Sequence, residues 1–481
     1  MINSQYKTFT KKIIFLLSFF ISSIFANELP ELGSTFDSIL NAADEKKIKF
    51  QIMEQVNSSN SIITDPEIND YLTNLGKELI DKGTKEKLKI NFFIISDRSI
   101  NAFAMLGNVI GVHSGLIFAA NSESELASVL AHEIAHITQK HLLRLFDSQT
   151  KNAYKSYLAM AIAVLAARTN PQLSSGAITA ASALQAQNIL DFTRSNEQEA
   201  DRIGFTTIEK AGYDPRGFID FFSTLKKFNS FSTGAAPVFL RTHPITIDRI
   251  SEIEDRLKDF KYIQKENKIE FYYTKAKLRA FIGDYSNIVN EFKSEIETKK
   301  YIDKSSSYFG LVYALLRQNK IKEARVYFDE LNLMNIKSAM LVELNANLLI
   351  KEKKYEKAFE VYKKGLNNYP LYRAFIFGIS NLIIEAKKPD KAIEFLKSYL
   401  SFYSDDPIFY DLIAKAYNQK KDFQLEHENL ADSYYFRYDL RNAIAQMDLA
   451  VKINSDNFYN QSRIEHRLKQ LKREEDLMNN R

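Results

Sequence analysis

Two histidines four residues apart bracket an acid in the run His132-Glu133-Ile134-Ala135-His136. On a helix such a pair projects from one face and can reach a single metal ion. Glu133, turned about 100° from His132, is then aimed at a water on that ion. The flanking Ala131, Ile134, Ala135 and Ile137 are apolar, so this helix is expected to be buried. Two buried imidazoles with no metal would lose hydration without a compensating bond. A catalytic zinc site needs a third protein ligand and one position left for water. The candidate is Glu197, 61 residues after His136, in Asn196-Glu197-Gln198-Glu199-Ala200-Asp201. Glu197 and Asp201 share a helical face at i and i+4, as suits a ligand and a carboxylate that accepts from the outer nitrogen of a ligating histidine. Glu199 competes for the ligand role but faces about 200° away from Glu197. The alternative for this acidic stretch is a solvated face paired with Arg194 and Arg202. The chemistry implied is hydrolysis: a metal lowers the pKa of water to about 7 and polarises a carbonyl, and Glu133 serves as base and then as acid.

The elements that must position these groups are mostly helical. Ser122 and Glu125 form a capping box, so the His-Glu-x-x-His helix is expected from about 123 to 146. A second helix, carrying Glu197 and Asp201, is expected from about Ala181 to Lys210, ended by Gly212 and Pro215. Asp65 and Pro66 start an amphipathic helix with Ile68, Leu72, Leu75, Leu79 and Ile80 at helical spacing, stopped by Gly83. The β-branched and aromatic runs Leu88–Ser96 and Val109–Val112 read as two strands of a small sheet. The second run (Val109, Ile110, Gly111, Val112) is expected to be an edge that could hold an extended substrate as an added strand.

The chain has 481 residues, 26% charged and 45% hydrophobic, with 65 Lys plus Arg against 60 Asp plus Glu. This is globular composition, and the small, dispersed charge argues against nucleic acid as a partner. There is no Cys, which excludes thiolate nucleophiles, disulfides and thiolate metal sites. Lys7, Lys11 and Lys12 precede the apolar run Ile13–Phe25 and Ala26, the order of a cleavable signal peptide, with the mature chain expected near Asn27. Export to the periplasm follows if the source is bacterial. The apolar stretch Tyr157–Ala167 is too short to span a bilayer and is expected to be a buried or interfacial helix, with at most peripheral membrane contact.

Beyond residue 262 the pattern becomes purely helical and repetitive. Ala324, Ala358 and Ala392 recur every 34 residues, each followed four positions later by a bulky residue (Phe328, Tyr362, Leu396). The period resembles that of tetratricopeptide repeats, in which two antiparallel helices and their turns use up 34 residues. Such an array offers a concave surface for a peptide or partner protein and has no catalytic implication of its own. His113, His141, His427 and His466 have no spacing partner and are expected to be structural.

The His-Glu-x-x-His helix, the Glu197-x-x-Ala200-Asp201 helix, Asn101-Ala102-Phe103-Ala104 with Gly107 and Gly115-Leu116, and Thr242-His243-Pro244 with Arg249 together resemble the gluzincin peptidases related to CAAX prenyl proteases and HtpX. The resemblance implies one zinc ion (Zn2+) per chain on His132, His136 and Glu197, with Glu133 as the general base. It also implies a regulatory or transition-state role for His243, which can occupy the fourth metal position and hold such an enzyme latent, the alternative being a buried helix-capping histidine. From its chemistry alone, His243 could equally stabilise the oxyanion. The fold class expected is mainly α, an α+β zincin-type metallopeptidase domain (27–261) after the signal peptide (1–26), followed by an α-helical tetratricopeptide solenoid (262–481). With the signal peptide and the array, the resemblance implies a periplasmic metalloendopeptidase whose substrates are unfolded or stalled outer-membrane proteins. Its partner through the repeats would be the outer-membrane β-barrel assembly machinery. A rival reading is a periplasmic chaperone or scaffold with a closed metal site. A third, a membrane-surface hydrolase of lipidated peptides, requires Tyr157–Ala167 to insert.

Overall fold

A computed structural model describes residues 42–84, 87–147, 194–231, 237–260, 265–453 and 457–479. The expected signal peptide, the apolar stretch 157–167 and the start of the helix expected from 181 lie outside the described residues.

Helix α1 (Ala42–Ser58) leads to α2 (Pro66–Gly83). The Asp65 carboxylate accepts from the backbone N–H groups of Glu67 and Ile68, both at 3.1 Å, and Pro66 occupies the first turn where no N–H is needed. Three strands follow: β1 (Asn91–Ile95), β2 (Ala102–Met105) and β3 (Val109–His113). Their order is β1-β3-β2, with β1 parallel to β3 (Phe93 opposite Gly111) and β2 antiparallel to it (Ala104 opposite Ile110). This corrects the expectation for Val109, Ile110, Gly111 and Val112. They lie on the central strand, paired on both sides and buried throughout, and cannot accept an added strand. The edges belong to β1 and β2, and β1 is partly covered, since Ile63 N–H donates to Ile94 O (2.9 Å) beside a bridge between Ile62 and Ile95. Strand β2 falls between the two runs that the sequence marks as strands. Four residues alternating Ala with Phe and Met carry too little β-branching to stand out in the sequence.

Helix α3 (Ser114–Ala119) precedes α4 (Glu123–Thr138), the His-Glu-x-x-His helix. Ser122 Oγ accepts from Glu125 N–H (3.1 Å), and the Glu125 carboxylate accepts from Asn121 N–H (3.1 Å), one residue before the usual capping-box partner. The expected helix 123–146 is not continuous. It ends at Thr138, Lys140 takes a left-handed φ of 53°, and α5 (His141–Asp147) starts afresh. Then come α6 (Arg194–Ala211), α7 (Gly217–Phe231), α8 (Val238–Thr242) and α9 (Ile247–Lys258). Gly212 follows α6 at φ 79°, the left-handed position where a helix terminates most easily on glycine.

From Ile269 onward the described chain is an α-helical solenoid: α10 (Ile269–Ile282) with α11 (Ile288–Thr298), α12 (Lys304–Arg317) with α13 (Ile321–Asn332), α14 (Ala339–Lys351) with α15 (Tyr355–Asn368), α16 (Arg373–Glu385) with α17 (Pro389–Tyr399), α18 (Pro407–Lys420) with α19 (Phe423–Phe436), and α20 (Leu440–Lys452) with α21 (Phe458–Asn479). The 34-residue period is written in the backbone. Asn319, Lys353, Lys387 and Lys421, each 34 residues on from the last, all take φ between 58° and 62° at the turn after the first helix of a pair. Ala324, Ala358 and Ala392 are fully buried, where a larger residue would force paired helices apart.

The solenoid curls against the elements that precede it. Phe271 and Leu278 of α10 join the core formed by α2, the sheet and α4. Lys277 Nζ lies 2.5 Å from Glu67 Oε2, Tyr372 donates to Glu67 Oε1 (2.6 Å) and Arg373 pairs with Asp70, so α2 is gripped by α10 and α16. At the far end Asn57 of α1 donates to Arg437 O (2.8 Å) and Phe50 packs edge-on to Tyr438. No helix among the described residues is long and apolar enough to cross a membrane.

Candidate metal centre

Helices α4 and α6 cross closely at Gly204, where an added Cβ would lie 3.2 Å from His132 N and 3.3 Å from Ala131 C. Gly204, Asp201 and Glu197 share one face of α6, so the same close approach carries both carboxylates up to the histidines of α4. His132, Glu133, His136, Glu197 and Asp201 are all at most 3% exposed, which replaces the alternative of a solvated acidic face.

One ligand atom each from His132, His136, Glu197 and His243 lies within 4.8 Å of all the others. The Nε2 atoms of His132 and His136 are 3.0 Å apart, and Glu197 oxygens lie 3.5 Å and 3.4 Å from them. Two imidazole lone pairs facing each other at that distance need a proton or a cation between them, so the donor set fits a divalent metal. The outer nitrogens are tied. His132 Nδ1 is 2.9 Å from Asp201 Oδ1, and His136 Nδ1 is 2.8 Å from His141 Nδ1, whose Nε2 reaches Glu199 Oε2 at 3.2 Å. If each Nδ1 of the pair 132 and 136 carries the proton, both Nε2 lone pairs are turned inward.

Electrostatics follow from burial and these contacts. Burial pulls His132 down, but hydrogen bonds to Asp201 and Glu197 outweigh it and lift the ring to about 9. His136, with less help, is held well below its ordinary value by burial. Burial raises Glu197, yet the His243 ring and hydrogen bonds from His132, His136 and His243 outweigh it and hold the carboxyl well below the usual range. Such a carboxylate stays ionised and ready to ligate.

Glu199 stands apart from the cluster, accepting from His141 and from Arg144 Nη1 (2.7 Å). Glu133 is fully buried, and neither of its carboxylate oxygens has a hydrogen-bond partner. His243 ends α8. Its N–H donates to Phe239 O (2.8 Å), its ring stacks on Phe239 at 4.7 Å, Nδ1 lies 3.0 Å from Glu197 Oε1, and Nε2 lies 3.5 Å from Glu133 Oε1.

Two residues outside the expected site complete it. Arg249, on the first turn of α9, spans Asp201 with two bonds (Nε to Oδ2 2.6 Å, Nη2 to Oδ1 2.8 Å) and reaches Glu197 Oε2 at 2.8 Å. His141 was expected to be structural. On an unbroken helix it would stand about 140° around from His136 at 100° per residue, and only the break at Lys140 turns it inward. His141→Leu is therefore expected to strand the His136 Nδ1 proton and weaken metal binding about 10- to 100-fold in competition with a chromogenic chelator. Unchanged affinity would make His141 a packing residue. His113, His427 and His466 lie outside the cluster, beside Ser99, Gln446 and Gln470.

Residues 66–257 match the model of peptidase family M48. That segment carries all four donors of the cluster and resembles the M48 metallopeptidases. The chain is 37% identical over 253 residues to a putative beta-barrel assembly-enhancing protease of Vibrio cholerae, covering 53% of this chain and about half (52%) of that one. It is 28% identical over 456 residues to the beta-barrel assembly-enhancing protease of Escherichia coli K12, covering 93% of this chain and 92% of the relative. The mitochondrial metalloendopeptidase OMA1 of Schizosaccharomyces pombe is 28% identical over 213 residues, 44% of this chain and 59% of that one. The match to family M48 implies a metal cofactor, and the buried four-donor group is its candidate site.

Proposed function

We propose that this chain is an exported zinc metalloendopeptidase of the M48 kind that hydrolyses unfolded or misassembled proteins in the periplasm, in the assembly and quality control of outer-membrane β-barrels. The observation that carries the catalytic part is the convergence of His132, His136 and Glu197 beside a buried Glu133 whose carboxylate makes no hydrogen bond and has His243 Nε2 3.5 Å away. Names of relatives aligned over nearly the whole chain support the barrel-assembly part. The division into a signal peptide (1–26), a peptidase domain (27–261) and a repeat domain (262–481) belongs to the same proposal, with delivery of clients and docking on the assembly machinery assigned to the repeats.

His132, His136 and Glu197 would hold a zinc ion, which would supply Lewis acidity toward a carbonyl and water activation near neutral pH. Asp201 and His141 orient the two imidazoles. Glu133 takes the proton of the attacking water and returns it to the leaving amine. An extended substrate would lie along β2, the edge strand packed beside α4. The test is metal analysis with casein cleavage: about one zinc per chain and measurable hydrolysis are expected, and a metal-free or inert preparation overturns the proposal.

His243 acts in this scheme as a fourth donor. Three protein ligands leave a catalytic site open, whereas four close it, and His243 stands 3.0 Å from Glu197 and 3.3 Å from His132 Nε2. His243→Ala is expected to raise casein hydrolysis about tenfold, the gain when a closed state outnumbers the open one by that ratio. A fall in activity would assign His243 to the oxyanion instead. The same closed set favours a second reading, a chaperone or assembly scaffold that rarely cleaves.

A further inference from the structure

Charge that is dispersed along the chain is gathered by the fold on one edge of the solenoid. The turns joining the first helix of a pair to the second fall within 317–323, 351–357, 385–391 and 419–425, each stretch 34 residues on from the last. Together these stretches hold twelve Lys and Arg against six Asp and Glu, an excess of six, whereas the whole chain carries only +5. First helices of successive pairs pack side by side, α10 on α12, α12 on α14 and α16 on α18, so the turns that end them line up along one edge. Four of the six acids are already paired: Glu323 with Lys293, Glu352 with Arg325 (2.7 Å) and Lys354 (2.8 Å), Glu385 with Lys415 (3.1 Å), and Asp390 with Lys420 (2.5 Å). Lys320, Lys353, Lys387, Lys388 and Lys421 are exposed and form no ion pair among the described residues.

Each turn repeats one three-residue pattern: a left-handed residue, a charged one and an apolar one. The triplets are Asn319-Lys320-Ile321, Lys353-Lys354-Tyr355, Lys387-Lys388-Pro389 and Lys421-Asp422-Phe423, with φ of 58°, 61°, 58° and 62° at the first position. Glycine or asparagine takes that conformation with least strain, yet three of the four turns place lysine there. Of the apolar members, Tyr355 is 51% and Phe423 49% exposed. The edge is thus a row of lysines with apolar tips between them, on the side of the solenoid away from its contacts with α1, α2 and the residues before β1. Those contacts, Tyr372 with Glu67, Arg373 with Asp70, Asp405 with Lys89 and Arg437 with Asn57, all belong to the opposite edge, where each second helix turns into the next pair.

We propose that this edge of the solenoid lies on an anionic lipid bilayer, with the lysine ammonium groups at phosphate headgroups and Tyr355 and Phe423 at the boundary between headgroups and acyl chains. A basic row alone would suit any polyanion. The apolar members narrow the choice, because Ile, Tyr, Pro and Phe share no stacking or hydrogen-bonding mode. What they share is partition into the interfacial layer, which the methylene stems of lysine also enter while the ammonium stays in water. Each lysine near such a surface is worth about a fivefold gain in binding, so a row of them acts where one would not. The contact is independent of peptide hydrolysis, and it gives the repeats a surface to rest on in addition to any protein partner.

The test is co-sedimentation of the full chain with vesicles of phosphatidylglycerol and phosphatidylcholine in equal parts, against vesicles of phosphatidylcholine alone. Binding at least about tenfold tighter to the anionic vesicles is expected. Replacing the three left-handed lysines together, Lys353→Gly, Lys387→Gly and Lys421→Gly, should weaken it roughly a hundredfold while the thermal melt holds, since glycine accepts that backbone conformation without strain. The chain has no Trp, so a single introduced one reports its own surroundings. Emission from Phe423→Trp is expected to shift to the blue on the anionic vesicles, and emission from Phe402→Trp, exposed on the opposite edge, is expected to stay. Equal binding to the two kinds of vesicle, no loss in the glycine variant, or a shift from Phe402→Trp as large as that from Phe423→Trp would each overturn the proposal. Tighter binding to soluble polyglutamate than to the vesicles, charge for charge, would also overturn it and make the partner an acidic polypeptide. The vesicle comparison uses the unsubstituted chain, so it decides even if the glycine variant misfolds.

Discussion

Glu133→Gln is expected to lower casein hydrolysis about 100- to 10,000-fold, the range a positioned general base contributes, with metal content unchanged. The side chain is fully buried, its oxygens make no hydrogen bonds, and His243 Nε2 comes no nearer than 3.5 Å to Oε1, so an isosteric amide removes the base and loosens only that long contact. The donors themselves are untouched: His132 and His136 keep Asp201 and His141 behind them, and Glu197 keeps Arg249. Metal content by plasma emission and hydrolysis by release of labelled casein fragments separate the two effects. A variant that binds metal normally yet cleaves within about tenfold of the unsubstituted protein would remove Glu133 from the base role. In cells the same substitution sorts the two readings of function. Full rescue of outer-membrane assembly by Glu133→Gln would place the chain's role in its repeats and not in its proteolysis.

How much of this was legible in the sequence depended on whether a feature was periodic or depended on a contact. The two histidines of α4, and the pair Glu197 and Asp201 on α6, follow from helical spacing alone. The 34-residue return of Ala324, Ala358 and Ala392 likewise announced helix pairs before any coordinates. Strand order is different in kind. Val109–Val112 looks like a strand whether central or at an edge, and only the pairing with both β1 and β2 makes it central. His141 was illegible because its role depends on one left-handed residue, Lys140, which breaks the helix that spacing had continued. Arg249 drew notice only beside His243 in the family-like segment. Its contacts with Asp201 and Glu197, across 48 and 52 residues of sequence, come from the packing of α9 on α6.

Arg249→Met is expected to be the most damaging substitution outside the metal ligands and the base. The guanidinium is 2% exposed and makes four polar contacts: two with Asp201, one with Glu197 and one with the carbonyl of Pro244 (2.9 Å), the residue that follows His243. It therefore joins a candidate ligand, the carboxylate that orients His132, and the segment that carries the fourth donor. Burial opposes its charge, but Asp201 and Glu197 outweigh that and raise its pKa further. Methionine matches the length of the stem and fills the space, so the loss isolates the charge and not a cavity. Two buried carboxylates without their cation cost about 3–5 kcal/mol, and the loosened Asp201 and Glu197 should weaken metal binding about 10- to 100-fold. Arg249→Lys should fall between, because a single ammonium cannot span both carboxylates and the carbonyl as the planar fork does. Urea unfolding and chelator competition measure the two losses separately. If Arg249→Met unfolds within about 1 kcal/mol of the unsubstituted protein and keeps its metal affinity, the guanidinium is not what holds the carboxylates of α6 in place, and the close contact of α4 with α6 at Gly204 must suffice.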